Sequence, residues 1–270
     1  MWTLNSPIKI GVRLLQLGWV SSFFMTTGYG KITAEFAAGG SSEVPVINEV
    51  DAYPGMKGDG WASPWQSRLS AETSLRADPV TGLGSKHGVR ISLKAAEGDT
   101  LTGALSRAYE NVPGLKTGAP HGISFLYRLE NPLTEGDSVS VYAAPGPSAV
   151  TSAYVSWSLL GDAQRGWCLV DGKKDGTVAR LIPTGIPLSA GTVWKISVWA
   201  DPANATWKVR ITADAGEGKS YQSPTLNFRA KPVSMPMPNL TFGANGRLKK
   251  GGDIQFSVGD INIDLPQKFE

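Results

Sequence analysis

The chain has 270 residues, 18% charged and 9% aromatic, with 32 glycines and 18 prolines. That composition excludes a disordered or coiled-coil protein and fits a turn-rich fold of the size reached by one all-β sandwich. Of the formal +3 charge, Lys9 and Arg13 lie in an acid-free opening; the chain from Lys31 onward carries 24 basic and 23 acidic residues, too balanced and unclustered for phosphate affinity, which excludes a nucleic-acid partner.

The opening reads as a secretory signal over residues 1–30. Lys9 and Arg13 supply the positive start, Leu14 to Met25 is mostly apolar, and Gly28 and Gly30 are the small residues of a cleavage site. The run is too short to span a bilayer, and Gln16, Gly18, Ser21 and Ser22 interrupt a helical stripe. Nothing later is apolar for long enough to cross a membrane. The expected location is therefore secreted, periplasmic or on the cell surface. Residues 31–270 read as a single domain, with 31–44 an edge strand and linker.

From about residue 45 the chain alternates strand-like runs with Gly, Pro, Asn and Asp punctuation and shows no sustained helical period. The predicted strands are Val44 to Tyr53, Gly88 to Lys94, Gly122 to Glu130, Ser138 to Ala143, Ala153 to Leu160, Trp167 to Asp171, Val178 to Ile182, Val193 to Ala200, Thr206 to Ala213, Thr225 to Arg229 and Ile254 to Leu265. So many strands in one chain imply two packed sheets. Period-two alternation sets Ile123, Phe125, Tyr127 and Leu129 against Ser124, Leu126, Arg128 and Glu130, and Val155, Trp157 and Leu159 against Tyr154, Ser156 and Ser158. A hairpin follows: Trp194, Ile196 and Val198 oppose Lys195, Ser197 and Trp199, the turn is Asp201-Pro202-Ala203-Asn204, and Trp207, Val209 and Ile211 oppose Lys208 and Arg210.

The segment Asp51-Ala-Tyr-Pro-Gly-Met-Lys-Gly-Asp-Gly60-Trp-Ala-Ser-Pro-Trp65 resembles the opening of concanavalin A-like (laminin-G-like) jelly rolls of exported bacterial proteins. His121-Gly-Ile-Ser-Phe-Leu-Tyr-Arg128 is similar to their central strand, the Trp194 to Ile211 hairpin to their late meander, and Asp253-Ile-Gln-Phe-Ser-Val-Gly-Asp-Ile-Asn-Ile263 to their closing strand. The resemblance spans roughly residues 45 to 265 and implies an all-β, two-sheet antiparallel jelly-roll sandwich. It also implies that first and last strands lie side by side. Related sandwiches hold a structural Ca²⁺ there, which makes Asp51 and Asp260 the candidate metal ligands, although Gly259 stands where a second acid is common.

Several chemistries can be weighed against this frame. Ala213-Asp-Ala-Gly-Glu-Gly-Lys-Ser220 fits a relaxed phosphate-loop pattern, but Pro224 and a β-like Leu226-Asn-Phe228 follow instead of a helix, so it reads as a hairpin turn. Glycoside hydrolysis needs paired carboxyls. Glu49 and Asp51 lack the third acid of the laminarinase-like pattern, and Glu130, Glu135 and Asp137 straddle a strand end and read as solvated turn charges. The lyase motifs of similar folds are absent, and no Gly-x-Ser-x-Gly elbow occurs. His87 and His121, the only histidines, adjoin glycines at strand starts and read as structural; no His/Cys spacing suits zinc. Cys168, the only cysteine, sits in an apolar stretch and reads as a buried thiol.

Trp157, Trp194 and Trp207 fall on the inward face, and Trp61 and Trp65 are expected to plug one end. Trp199, Tyr142, Tyr154, Arg128, Glu130 and Arg210 are assigned together to a polar face suited to stacking a sugar. The sequence therefore reads as a non-catalytic, monomeric module for carbohydrate or an envelope ligand, with a polysaccharide hydrolase or lyase second and a structural or adhesive surface module third. Protein recovered from the periplasm or medium is expected to lack about the first 30 residues; an intact mass that still includes Met1 would refute the signal.

Overall fold

The computed structural model describes residues 31–34, 42–44, 61–62, 65–70, 73–83, 86–145, 155–214, 218–230, 238–246 and 252–265, and these contain strands and turns but no helix. In chain order the strands begin with β1 (Ile32–Ala34), β2 (Ser42–Val44), β3 (Gln66–Leu69), β4 (Thr73–Leu83), β5 (Lys86–Ala95) and β6 (Leu101–Ala108). Next come β7 (His121–Leu129), β8 (Asp137–Pro145), β9 (Ser158–Asp162), β10 (Gly166–Gly172), β11 (Val178–Pro183) and β12 (Val193–Asp201). The last are β13 (Thr206–Ala213), β14 (Ser220–Gln222), β15 (Leu226–Asn227), β16 (Pro238–Gly246) and β17 (Gly252–Asp264).

Ten strands form one sheet in the order β14-β13-β12-β7-β17-β5-β4-β2, with β1 on β17 and β15 on β13; seven form the other, β11-β10-β9-β8-β16-β6-β3. All strand pairings are antiparallel. The expected all-β sandwich of two antiparallel sheets is what the chain builds. Beside β17 lies the first strand, β1, with Ile32 opposite Ile263; of the expected strand Val44 to Tyr53 only Val44 is described, in β2 next to β4.

The alternation places the core. Ile123, Phe125, Tyr127 and Leu129 are all essentially inaccessible, while Ser124 and Arg128 between them keep partial exposure. Phe125 meets Phe242 of β16 edge-on at 5.3 Å, and Tyr127 meets Trp167 of β10 at 5.1 Å while stacking on Phe256 of β17 at 5.5 Å. The contacts to Phe242 and Trp167 clamp the ten-stranded sheet to the seven-stranded one, each worth about 0.5–1.5 kcal/mol beyond the area it buries. Trp157, Trp194 and Trp207 point inward as expected, and Cys168 is buried. Trp61 and Trp65, 5.7 Å apart, close one end, with the buried Arg107 guanidinium 4.7 Å from the Trp61 ring and lowered to about 10 by desolvation.

Some expected strands differ. Of the expected strand Ala153 to Leu160, residues 153–154 lie outside the described residues and the rest is a strand only from Ser158, and Thr225 to Arg229 shrinks to the two residues of β15. The strands β3, β4, β6, β14 and β16 carry no clear alternating signal in the sequence. The Gly-rich stretch before Ser220 does join a hairpin: Ile211 pairs with Tyr221 and Thr212 with Ser220.

The Tyr127 hydroxyl is fully buried, its pKa raised by desolvation, and it has no hydrogen-bond partner among the described residues. A buried unsatisfied hydroxyl costs about 1–3 kcal/mol. Tyr127→Phe is therefore expected to stabilise the fold by about 1 kcal/mol, raising Tm by roughly 2–4 °C. A fall of that size in thermal unfolding would reveal a partner for the hydroxyl.

Candidate functional site

Register and alternation together define what the outer face of the ten-stranded sheet presents. Ser197 of β12 lies between Arg210 of β13 and Ser124 of β7, and Ser124 in turn faces Asn262 of β17. The neighbouring row runs from Lys208 through Trp199 and Gly122 to Asp264. Over these rows lies a cleft of about 410 Å³ lined by Lys31, Ser124, Lys195, Ser197, Trp199, Arg210, Thr212, Asp260, Asn262 and Asp264 among others, within the size range of small-ligand clefts.

Trp199 is half-buried, with Lys208 Nζ 5.8 Å from its ring and only Gly122 across from it on β7, so no side chain from that strand crowds the indole. Arg210 is diagonal to both Lys195 and Trp199. Its Nε and Nη2 donate to Gln222 Oε1 at 3.1 and 2.7 Å, which seats the guanidinium on the sheet.

The other wall comes from a bulge. The β17 register slips between Gly259 and Asn262, and Asp260 there takes φ 47°, a left-handed conformation that Asp tolerates better than most residues. Asn262 Nδ2 donates to the Asp260 carbonyl at 2.8 Å and to its carboxylate at 3.3 Å. Gly259 has a packing reason: a Cβ there would lie 2.5 Å from the His87 carbonyl. That accounts for the missing second acid at this position. Asp51 lies outside the described residues, so Asp260 alone of the expected cation pair has a described place. Among the described residues no three His, Cys, Asp or Glu side chains cluster as a metal site.

Of the six residues assigned to one polar platform five are described, and among these the structure brings Trp199 and Arg210 together. Arg128 and Glu130 share the face but sit far along it, Arg128 about 20 Å from the Trp199 row at 3.4 Å per residue. They bind each other, Nη2 to Oε1 at 2.7 Å, while Arg128 Nη1 donates to the Gly82 carbonyl and Ser257 Oγ to Glu130 Oε1. Glu130 is thus paired and not a solvated turn charge. Asp137 is likewise bonded, accepting from the Thr134 amide at 3.0 Å and its hydroxyl at 2.5 Å.

Tyr142 requires a correction: β8 belongs to the seven-stranded sheet, so its outward side chain lies on the opposite side of the sandwich from Trp199. Alternation tells which residues of a strand share a face, not which sheet the strand joins. Tyr142 is hydrogen-bonded to Thr241 and sits near Arg68; burial raises its pKa, and these two neighbours partly offset that rise. One row along, the Asn239 side chain is 2% exposed, and neither amide atom has a partner among the described residues. Tyr154 lies outside the described residues.

Sequence reasoning missed Lys31, Asn262 and Asp264. A signal for the last two existed, since Asp260, Asn262 and Asp264 recur at every second residue of the closing strand. Lys31 carried none, because its place depends on the pairing of β1 with β17.

His121 is 2% exposed; its Nδ1 lies 2.8 Å from the Ala119 carbonyl, which can only accept, so Nδ1 carries the proton and Nε2 accepts from the Tyr109 hydroxyl at 3.2 Å.

No protein-family model matches the sequence, and no curated protein matches it. Three solved structures are similar in shape: the lectin UEA-II in complex with galactose (TM-score 0.47, 12% identity, 72% of this chain and 92% of that one), an endo-β-1,4-glucuronan lyase from the fungus Trichoderma reesei (0.48, 14%, 77% and 92%), and a sialidase (0.48, 8%, 75% and 17%). The chain spans only about a sixth of the sialidase.

Desolvation lowers the His121 pKa below its ordinary value. The unfolded imidazole, near 6.5, therefore binds a proton before the folded one, so this group's contribution is present above about pH 6.5 and is lost as pH falls toward the folded pKa. Unfolding free energy of the wild type is expected to fall with acidification in that window, and a His121→Gln variant to show a shallower slope. Parallel slopes in denaturant titrations would remove His121 as the cause.

Proposed function

We propose that the protein is an exported glycan-binding module that works without catalysis, and that the Trp199 cleft is its binding surface. One observation carries the reading: a half-exposed indole on a hydrogen-bonded sheet, flanked within two residue rows by cations, carboxylates, hydroxyls and an amide. A pyranose presents C–H faces that stack on an indole and hydroxyls that need donors and acceptors beside it. Sheet strands hold these groups with less reorganisation than loops, which limits the entropy lost on binding.

A lyase is the second reading, favoured by Tyr142, Arg68 and the unpartnered Asn239 on the other sheet. In that chemistry a phenol moves the proton beside a sugar carboxylate while a guanidinium and an amide neutralise the acid. Release of unsaturated sugar ends, abolished in Tyr142→Phe, would replace the binding-module reading with this one. Silence across a glycan array would favour the structural or adhesive module.

With a glycan bound on the array, Trp199→Ala is expected to weaken binding by about 1–2 kcal/mol, roughly five- to thirtyfold in Kd, with Tm unchanged. Unchanged affinity together with a lowered Tm would make the indole a core element.

A further inference from the structure

We infer that the cleft takes the end of a glycan chain and not an internal stretch, and that Gly122 is the specificity-determining residue because it leaves the seat for the terminal ring; this rests on the glycan-binding reading. The row that crosses the cleft is Lys208, Trp199, Gly122 and Asp264, one residue from each of β13, β12, β7 and β17. Lys208 sets its ammonium 5.8 Å from the indole and occupies the face on the β13 side. The opposite face turns toward Gly122, which has no side chain. Neighbouring strands lie about 4.8 Å apart, so roughly 10 Å separates the Trp199 and Asp264 backbones, with only a glycine on the floor between them. That gap admits one ring standing against the indole, with Asp264 on its other side. Gly122 has no left-handed φ, so its backbone conformation does not require a glycine.

The slot is closed at one end. Along β7 the outward residues after Gly122 are Ser124 and then Leu126. Ser124 is small and continues the floor between Ser197 and Asn262. Leu126 ends it, keeping 4% exposure, and its register partner is Gly259. There the β4–β5 hairpin folds back over the sheet: a Cβ on Gly88 or Gly259 would meet the Leu83 side chain at 2.9 Å, and Arg128 Nη1 ties the hairpin down by donating to the Gly82 carbonyl at 3.1 Å. An internal sugar needs two opposite exits, one for each neighbour in its chain. With the faces of the ring toward Trp199 and Asp264, its opposite edges point either along β7, where Leu126 blocks one side, or from floor to solvent, where the backbone blocks one side. Either way a single exit remains, which only a terminal ring can use.

The far wall suits hydroxyls. Asp264 Oδ1 accepts from the Leu265 amide at 2.6 Å, which leaves Oδ2 for a sugar hydroxyl, and Lys31, next to Asp264 just before β1, adds a donor beside that acceptor. With opposite charges side by side, this wall asks for no charge on the ligand.

Two measurements on the full chain test this, and the first needs no sugar. Acrylamide quenching of the Trp199 emission, isolated in each background by difference from Trp199→Phe, is expected to fall about twofold in Gly122→Val, whose side chain fills the space against the free face. A β-branched residue suits a strand, so Tm is expected to hold. Unchanged quenching in folded Gly122→Val overturns the inference; should that variant not fold, Gly122→Ala takes its place with a smaller drop expected. The second measurement is calorimetric titration with the dimer, trimer and hexamer of cello-, xylo-, manno-, laminari- and chito-oligosaccharides. In a series that binds, dimer and hexamer are expected to agree within about threefold in Kd, and Gly122→Val to weaken both about tenfold or more. Binding that tightens further than that from dimer to hexamer means that internal rings lie along the face, which overturns the inference and leaves the glycan reading standing. Reducing the trimer to its alditol identifies the seated end: unchanged binding assigns the non-reducing end, and loss assigns the reducing one. If no series binds, the inference fails outright, and a glycan array then decides the binding reading separately.

Discussion

The contact on which the rest depends is the clamp between Phe125 and Tyr127 of β7 and their partners Phe242 and Trp167 in the opposite sheet. A strand with period two cannot slip by one residue without moving its whole apolar set into water. For β7 that would expose Ile123, Phe125, Tyr127 and Leu129, at about 1.5–3 kcal/mol for each large side chain. The same constraint fixes what points outward. Once Phe125 is inside, Ser124 is outside, and the pairing of Ser124 with Ser197 and Asn262 brings the neighbours of those residues into one cleft. The candidate surface is thus a consequence of core packing, transmitted by backbone register and not by any side-chain contact across the face.

The β17 wall of the cleft depends on a second constraint, the close approach of β17 to β5. Gly88 and Gly259 face each other across that pair, and a Cβ on either would press within 2.6 Å of a carbonyl oxygen of the other strand. Immediately after this contact β5 no longer pairs with β17, β1 takes over the same flank, and the chain absorbs the change in one extra residue. Asp260 occupies that bulge with a positive φ, a conformation that costs a non-glycine residue of order 1–3 kcal/mol and persists where surrounding pairing over-determines it. Pairing on both sides of the bulge supplies that determination, and the Asn262 side chain ties down the Asp260 carbonyl.

Local pattern was the most legible layer of the sequence. The β12–β13 hairpin follows from alternation plus turn chemistry, since Asp201 accepts from the Asn204 amide at 3.1 Å and closes the turn its residues announce. Less legible were strands that propensity disfavours. β6, Leu-Thr-Gly-Ala-Leu-Ser-Arg-Ala, reads as easily as a helix, and becomes a strand because β3 and β16 pair with it on both sides. β4 contains Asp78-Pro79, a turn signal. Proline is tolerated there because β2 covers only Leu75 to Ala77, so among the described residues Pro79 has a partner strand on one flank alone. Sheet membership was the least legible layer. It is decided by pairings about a hundred residues apart, such as Tyr142 with Thr241 and Ser138 with Asn245, and no window around Tyr142 contains that information.

The two outer faces differ around their candidate groups, and this bears on where a ligand can act. On the seven-stranded sheet Tyr142 keeps partial access but its neighbours Asn239, Thr241 and Ala144 are buried, whereas on the ten-stranded sheet Lys195 is exposed and Ser197, Trp199 and Arg210 keep partial access. A polysaccharide is long, stiff and hydrated, and it needs a surface it can reach without first displacing protein. The Trp199 cleft meets that requirement as it stands. Its charges are mixed, with Lys195 and Arg210 on β12 and β13, Asp260 and Asp264 on β17 and Lys31 just before β1, and serine hydroxyls lie on the floor between them. Such an arrangement contributes more to choosing the orientation and charge of a ligand than to raw affinity, because each exposed charge is worth little by itself in water. On the proposed reading, affinity comes mainly from the ring face of Trp199 and orientation from the charged and polar groups around it, so the two properties reside in different residues of one surface.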